Sequence, residues 1–268
     1  MAEYLDDVAR FNRDAWERLA EAGIEYSRPW LDLDAESARA RLDPEGVMGD
    51  AEGKNVLCLA GGGGQQSAAF ALLGANVTVI DISETQLERD REAAEHHGTD
   101  VRLVTGDMRD LSAFADDSFD LVYHAHAICF VPDVAPVFDE VARVLRRGGL
   151  YRVSCPNPYV HGLWDGGWDG RGYCIRSPYV DGQEIVYQDE CWDVEGPDGR
   201  TRRVPGPREY RHTLTTLVNG LSTRGFCILR VREWPTGDAD AEPESWGHFA
   251  AFAPPWWTLW SRYTPGSE

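Results

Sequence analysis

Lysine is almost absent from this chain. Lys54 is the single one among 268 residues, and arginine carries nearly all the positive charge. Positive charge is itself scarce: 26 Lys and Arg face 45 Asp and Glu, for a formal net charge of −19. Basic residues gather only at Arg146-Arg147 and over 200–203. Such a surface repels phosphate backbones, so nucleic acid is not an expected partner. Long apolar runs are missing too, and none approaches the length that spans a bilayer. The acidic, mixed N-terminus does not read as a signal peptide. No membrane partner and a cytoplasmic location are therefore expected. Six cysteines are present, but none form a C-x-x-C pair. That argues for buried thiols over a disulfide framework or a zinc site. No internal repeat divides the chain, whose length suits one domain with a sizeable insertion.

What is present is an alternating pattern. Residues 1–52 read as a helical cover, with Val8, Phe11, Ala15, Trp16 and Leu19 at helical spacing and Gly23 as a stop. From residue 53 short apolar runs read as buried strands, at 55–60, 76–80, 101–105, 118–124 and 150–154. Helices are expected between them at 65–73, 83–97 and 134–145, the second opened by a capping box of Ser83 and Gln86. Alternation of this kind over 53–155 is the signature of a parallel sheet with right-handed crossovers. Residues 156–207 break the rhythm and read as a mixed insertion over the sheet's carboxyl edge, where such folds bind ligands. Within it, 184–194 and 202–204 suggest a hairpin about the turn at 196–199. Residues 208–268 resume with a helix carrying Leu214, Leu217, Val218 and Leu221. Two last strands are expected at 226–234 and 248–253.

The most informative stretch is the strand at 55–60 running into Gly61, Gly62, Gly63 and Gly64, with a helix following at once. Glycines let a backbone approach a ligand, and the helix start offers free N–H groups. The next strand ends at Asp81, a carboxylate able to accept both hydroxyls of a ribose. Up to this point a nicotinamide dinucleotide and an adenosyl cofactor fit equally well.

Gly106, Asp107 and Met108 after the third strand separate the two. Here the chain resembles the class I S-adenosylmethionine (SAM)-dependent methyltransferases, of the small-molecule kind. The likeness continues through Phe119 to Tyr123, Val131 to Asp133, and Glu140 to Gly149. The resemblance implies an α/β, Rossmann-like, seven-stranded, mostly parallel sheet with flanking helices and one antiparallel strand. It implies SAM as cofactor, S-adenosylhomocysteine as product, and a small-molecule N, O, S or C acceptor. By resemblance Ala60, Gly61, Gly62 and Gly64 border the methionine part of the cofactor. Asp81 holds the ribose and Ile82 packs on the adenine. Gly106, Asp107 and Met108 take the other side of the base. Two departures stand out: Cys58 replaces the family's usual acid, and Ala60 its usual first glycine. With the acid gone, Gln65 or Gln66 is left to hold the methionine end.

Methyl transfer needs alignment and exclusion of water, and a base only if the acceptor must lose a proton. His124 and His126 follow the fourth strand at i, i+2, which places them on one face if the strand persists. Either is a candidate to touch the cofactor, orient the acceptor or act as base. Without a third ligand they do not read as a metal pair. His212, after Tyr210 and Arg211, is a second candidate base or else a helix cap beside Thr213. Trp16, Tyr26, Trp30, Cys129, Trp164, Tyr210 and Arg211 are the candidate acceptor contacts. The loop tryptophans suit a lid, a cage for a cationic nitrogen, or a small second core. Trp256, Trp257 and Trp260 are a candidate homodimer contact. The rival readings are an NAD(P)-dependent oxidoreductase and a non-catalytic SAM-binding module.

Overall fold

The computed structural model describes residues 5–163, 167–175, 177–187, 189–196, 198–234 and 237–266, so Trp164 lies outside the described residues. Helix α1 (Asp7–Ala22) begins where the Asp6 side chain accepts the Ala9 N–H and ends at Gly23, in the left-handed conformation. A short helix α2 (Ala35–Leu42) follows, opened by a reciprocal box between Asp34 and Ser37.

The core then alternates. Strand β1 (Asn55–Leu59) leads to α3 (Gln66–Leu72), β2 (Asn76–Asp81) to α4 (Glu84–His97), and then come β3 (Val101–Thr105) and β4 (Phe119–His126). Helix α5 (Ala135–Val144) runs directly into β5 (Leu145–Pro156). Gly148 and Gly149 lie inside β5, at a register shift opposite β4.

Four short strands fill the insertion: β6 (Gln183–Ile185), β7 (Cys191–Glu195), β8 (Thr201–Pro205) and β9 (Glu209–Arg211). The expected hairpin is shorter than its sequence signal. Only β7 and β8 pair about the turn, while β6 pairs with β9 as a separate ribbon. Helix α6 (Leu214–Ser222) and β10 (Phe226–Glu233) return to the main body.

The end of the chain corrects the sequence reading. Residues 248–253, expected as a strand, belong to helix α7 (Trp246–Phe252), which Ser245 caps. A short apolar run carries no decisive period, and here the cap settles it. The last strand is β11 (Trp256–Tyr263), antiparallel to both β5 and β10. Trp257 and Trp260 are thereby sheet core, 8% and 2% exposed, and Trp256 packs against Trp246. The basis for an exposed dimer contact is gone.

The seven strands lie in the order β10-β11-β5-β4-β1-β2-β3, parallel except for β11. One apolar cluster packs Leu57, Val122, Tyr151 and Val153 against Phe138, Val141 and Leu217 of α5 and α6. Another packs Val56, Cys58, Tyr123 and Trp260 against Phe70 and the α2 segment. The order reverses between β1 and β4, which opens a crevice at their carboxyl ends. Helix α1 lies over that edge, between α4 and the β7–β8 hairpin. No helix among the described residues is long and apolar enough to cross a membrane.

Candidate active site

The glycine loop leaves β1 through Ala60, held at φ 45° where glycine is the easier residue. Its amides then meet carboxylates. Gly62 N–H donates to Asp81 at 3.0 Å, and Gly63 N–H donates to Asp90 at 3.0 Å and to the Gln86 carbonyl at 3.1 Å. Two of the glycines are required by close approach. A Cβ on Gly64, whose φ is +71°, would fall 2.3 Å from the Arg89 carbonyl oxygen, and one on Gly62 would fall 2.6 Å from the Gln86 Cβ. The loop thus rests on one face of α4 formed by Gln86, Arg89 and Asp90.

Asp81, at the end of β2, also accepts the Ser83 N–H at 2.9 Å. Burial pushes its carboxyl up to about 6, against the pull of its backbone hydrogen bonds. Asp90 is wholly buried and burial raises it to about 7, although Ser67 and Gly63 donate to it. Gln65, a candidate for the methionine end, is tied elsewhere: its amide donates to the Glu25 and Arg28 carbonyls. Gln66 is the first residue of α3.

Gly106 is joined to β2 by its N–H bond to the Asp81 carbonyl, 2.9 Å. Beyond it Asp107 is buried and Met108 is half-buried, as is Ile82 after Asp81. Arg109 clamps Asp107 with its Nε and Nη2, at 3.0 and 2.6 Å, and reaches Asp6 with Nη1 at 2.7 Å. That second bond, the largest cause, holds the Asp6 carboxyl below its usual range. Through it the start of α1 is fastened to the third strand's loop.

The two histidines of β4 part company. A bulge at Ala125 sets His124 opposite Val153 but His126 opposite Ser154, so the pair does not share a face. His124 is fully buried on the α5–α6 side, with Nδ1 2.8 Å from the Tyr151 hydroxyl and Nε2 without a partner. Burial, aided by the Arg152 and His126 charges, lowers it to about 3. His126 remains exposed, edge-on to Trp256 with its Nε2 3.9 Å from the Cys129 sulfur. The protein packed around it lowers it to about 4, so it is a neutral imidazole at pH 7.

Beside it Ala127, Cys129 and Phe130 cluster with Ala60, Met108 and Trp16, which brings the first loop, the third loop and α1 together. Trp16 meets Phe130 and Trp192 edge-on, at 5.3 and 5.9 Å. Trp30 packs on the sheet's other cluster beneath Arg41, and its N–H donates to the Gly64 carbonyl. Tyr26 is half-exposed, with its carbonyl against Gly63.

The remaining candidates serve the insertion. Arg211 is buried and donates to the Pro178 and His161 carbonyls and to Ser177. Tyr210, before it, is buried as well. His212 is buried, with Nε2 3.2 Å from the Ile128 carbonyl, and Thr213 rather than His212 caps α6. Several residues carry no signal in the sequence. Glu209 accepts from His161 at 2.7 Å and from the Tyr187 hydroxyl at 2.9 Å. Burial raises Glu209, but these bonds and the His161 charge outweigh it and leave the carboxyl below its usual range. Buried Asn12 joins α1 to the Phe130 and Arg208 carbonyls. Each becomes visible only when distant segments meet.

This donor set favours one of the two cofactor classes. A dinucleotide's pyrophosphate needs free loop amides, whereas here the amides of Gly62 and Gly63 are bonded to buried carboxylates. Carboxylates suit ribose hydroxyls and a positively charged head. The comparisons agree. Residues 57–153 match the methyltransferase-domain family. The chain is 34% identical to the uncharacterized methyltransferase YbaJ of Bacillus subtilis, over 85% of this chain and 91% of that one. It is 28% identical to a Yarrowia lipolytica sterol 24-C-methyltransferase, of which it spans 44%. A SAM-dependent methyltransferase structure from Mesorhizobium loti superposes with a TM-score of 0.62 at 26% identity, over 87% of this chain and all of that one. Sequence, sheet order and loop chemistry converge, and the chain belongs to the class I SAM-dependent methyltransferases.

Proposed function

We propose that the protein methylates a small molecule held between the carboxyl edge of β4 and the α1–insertion cover. The observation that carries this reading is the exposed His126 ring at the carboxyl end of β4, which meets Cys129 and Trp256, with Cys129 in one cluster with Ala60, Met108 and Trp16. SAM supplies a methyl group on a sulfonium, so the transfer itself asks little acid–base chemistry of the protein. Bound there, SAM would give its methyl carbon to an acceptor lone pair, its sulfur would keep the electron pair of the broken bond, and S-adenosylhomocysteine would be left. Asp81 holds the ribose hydroxyls, and Asp107 with Met108 and Ile82 holds the adenine. Trp16 and Phe130 exclude water. His126, a neutral imidazole at pH 7, accepts a hydrogen bond from an acceptor that carries a proton and so orients its lone pair toward the methyl group. The sterol-methylating relative supports a small, partly apolar acceptor.

Titration calorimetry with SAM, S-adenosylhomocysteine and NAD tests the cofactor assignment. Both adenosyl ligands are expected to bind and NAD is not. Asp81→Ala is expected to weaken S-adenosylhomocysteine about 100-fold, for two lost charge-assisted hydrogen bonds. Unchanged affinity would remove Asp81 from the site.

A further inference from the structure

Directly beneath the glycine loop, β1 presents a thiol. Cys58 is fully buried, and a Cβ on Gly61 would lie 3.1 Å from the Cys58 Cβ. A buried thiol is a weak acceptor for a loop amide. Burial and the nearby Asp90 charge push the Cys58 thiol well up, so it adds no negative charge. The carboxylate that reaches this part of the loop comes from the next helix. Asp90 accepts the Gly63 N–H at 3.0 Å with one oxygen and the Ser67 hydroxyl with the other.

The surroundings of Asp90 are unusual for a carboxylate. It is 0% exposed, and its bonded partners are neutral. The flanking arginines turn outward, Arg89 to Glu92 and Arg91 to Glu88. A buried carboxylate without a cation is costly to the fold. Its retention at the back of a ligand loop calls for a charge that arrives from outside.

We propose that Asp90 is the positioning carboxylate of the glycine loop, doing from α4 what β1 with Cys58 does not, and that it holds the loop for the amino-acid end of the cofactor, whose ammonium is the cation. This rests on the SAM reading above. Asp90 does not touch the cofactor. It acts through the Gly63 amide and through Ser67 at the start of α3. The role is local to one end of the ligand, so it separates from Asp81, which serves the ribose.

The experiment compares two ligands by calorimetry: S-adenosylhomocysteine, and methylthioadenosine, which keeps the adenosine but lacks the amino-acid end. Asp90→Asn is expected to weaken S-adenosylhomocysteine about tenfold and methylthioadenosine by less than about twofold. Its melting temperature should be no lower, since a desolvated charge has been removed. Moving the acid back to β1, with Cys58→Asp and Asp90→Asn together, should restore S-adenosylhomocysteine to within about threefold of wild type. Cys58→Asp alone should lower the melting temperature, because two buried carboxylates then meet. Equal losses for both ligands, or none for either, would overturn the proposal. If Asp90→Asn does not fold, the double variant decides: recovered binding supports the proposal and absent binding overturns it. A wild-type protein that binds neither ligand would overturn the cofactor reading itself.

Discussion

The proposed cofactor side of the cleft and the proposed acceptor side are built from different kinds of contact. On the cofactor side each group sits at the carboxyl end of a strand or in the first turns of the helix after it: Gly62 and Gly63 after β1, Asp81 after β2, Asp90 in α4, Asp107 after β3. Their hydrogen bonds join neighbouring βα units. On the acceptor side Asn12 of α1 reaches Phe130 and Arg208, and Glu209 meets His161 and Tyr187. There, segments far apart in the chain converge. A site made of adjacent units is specified by local pattern, whereas one made of distant segments depends on the whole packing.

The comparison can be broken most severely at Gly64. Gly64→Val sets a branched side chain at φ +71° against the Arg89 carbonyl. It is expected to cost at least about 3 kcal/mol of stability and to abolish S-adenosylhomocysteine binding. Denaturant titration and calorimetry read both. A folded variant with wild-type affinity would show that the loop does not rest on α4 as described.

The histidines sharpen it next. His126→Ala is expected to lower turnover about 100-fold on a protic acceptor through lost orientation, with S-adenosylhomocysteine affinity nearly unchanged. His124→Phe should instead destabilise the chain by about 1–3 kcal/mol, because it strands the buried Tyr151 hydroxyl. Reversed outcomes would return His124 to the site and send His126 to the scaffold.

The smallest effect is one of pH. Asp81 and Asp90 bind protons more tightly folded than unfolded, with values of about 6 and 7. Their contribution to stability is therefore fully present below the ordinary carboxylate range and is lost as pH rises through 6 to 7. Through these two groups the ligand-free protein should melt a few degrees lower at pH 8 than at pH 5, and Asp90→Asn should shrink that difference. Cofactor affinity should run the other way and rise from pH 5 to 7 as Asp81 ionises. Asp81→Asn should flatten that rise, and a slope unaltered by the substitution would assign it to another group.

The reach of the sequence follows the same division. Gly61 to Gly64, Asp81 and Gly106 to Met108 are legible because a glycine loop and strand-end acids recur at fixed places in a βαβ run. Asp90 is not, since it lies among five successive charged residues of α4 and only the fold shows which one turns inward. His124 and His126 were expected together because strand alternation is the default, and one bulge residue undoes it. The last helix and strand were misplaced because aromatic runs at 246–252 and 256–263 look alike without their partners. The sequence by itself determined the alternating core, the mostly parallel sheet and the placing of the glycine loop and strand-end acids, through periodicity and local turn chemistry. Tertiary structure alone decided that His124 is buried and His126 exposed, that Arg109 fastens α1 to the third loop, and that Glu209 meets His161, because those outcomes depend on residues whose separation in the chain carries no local signal.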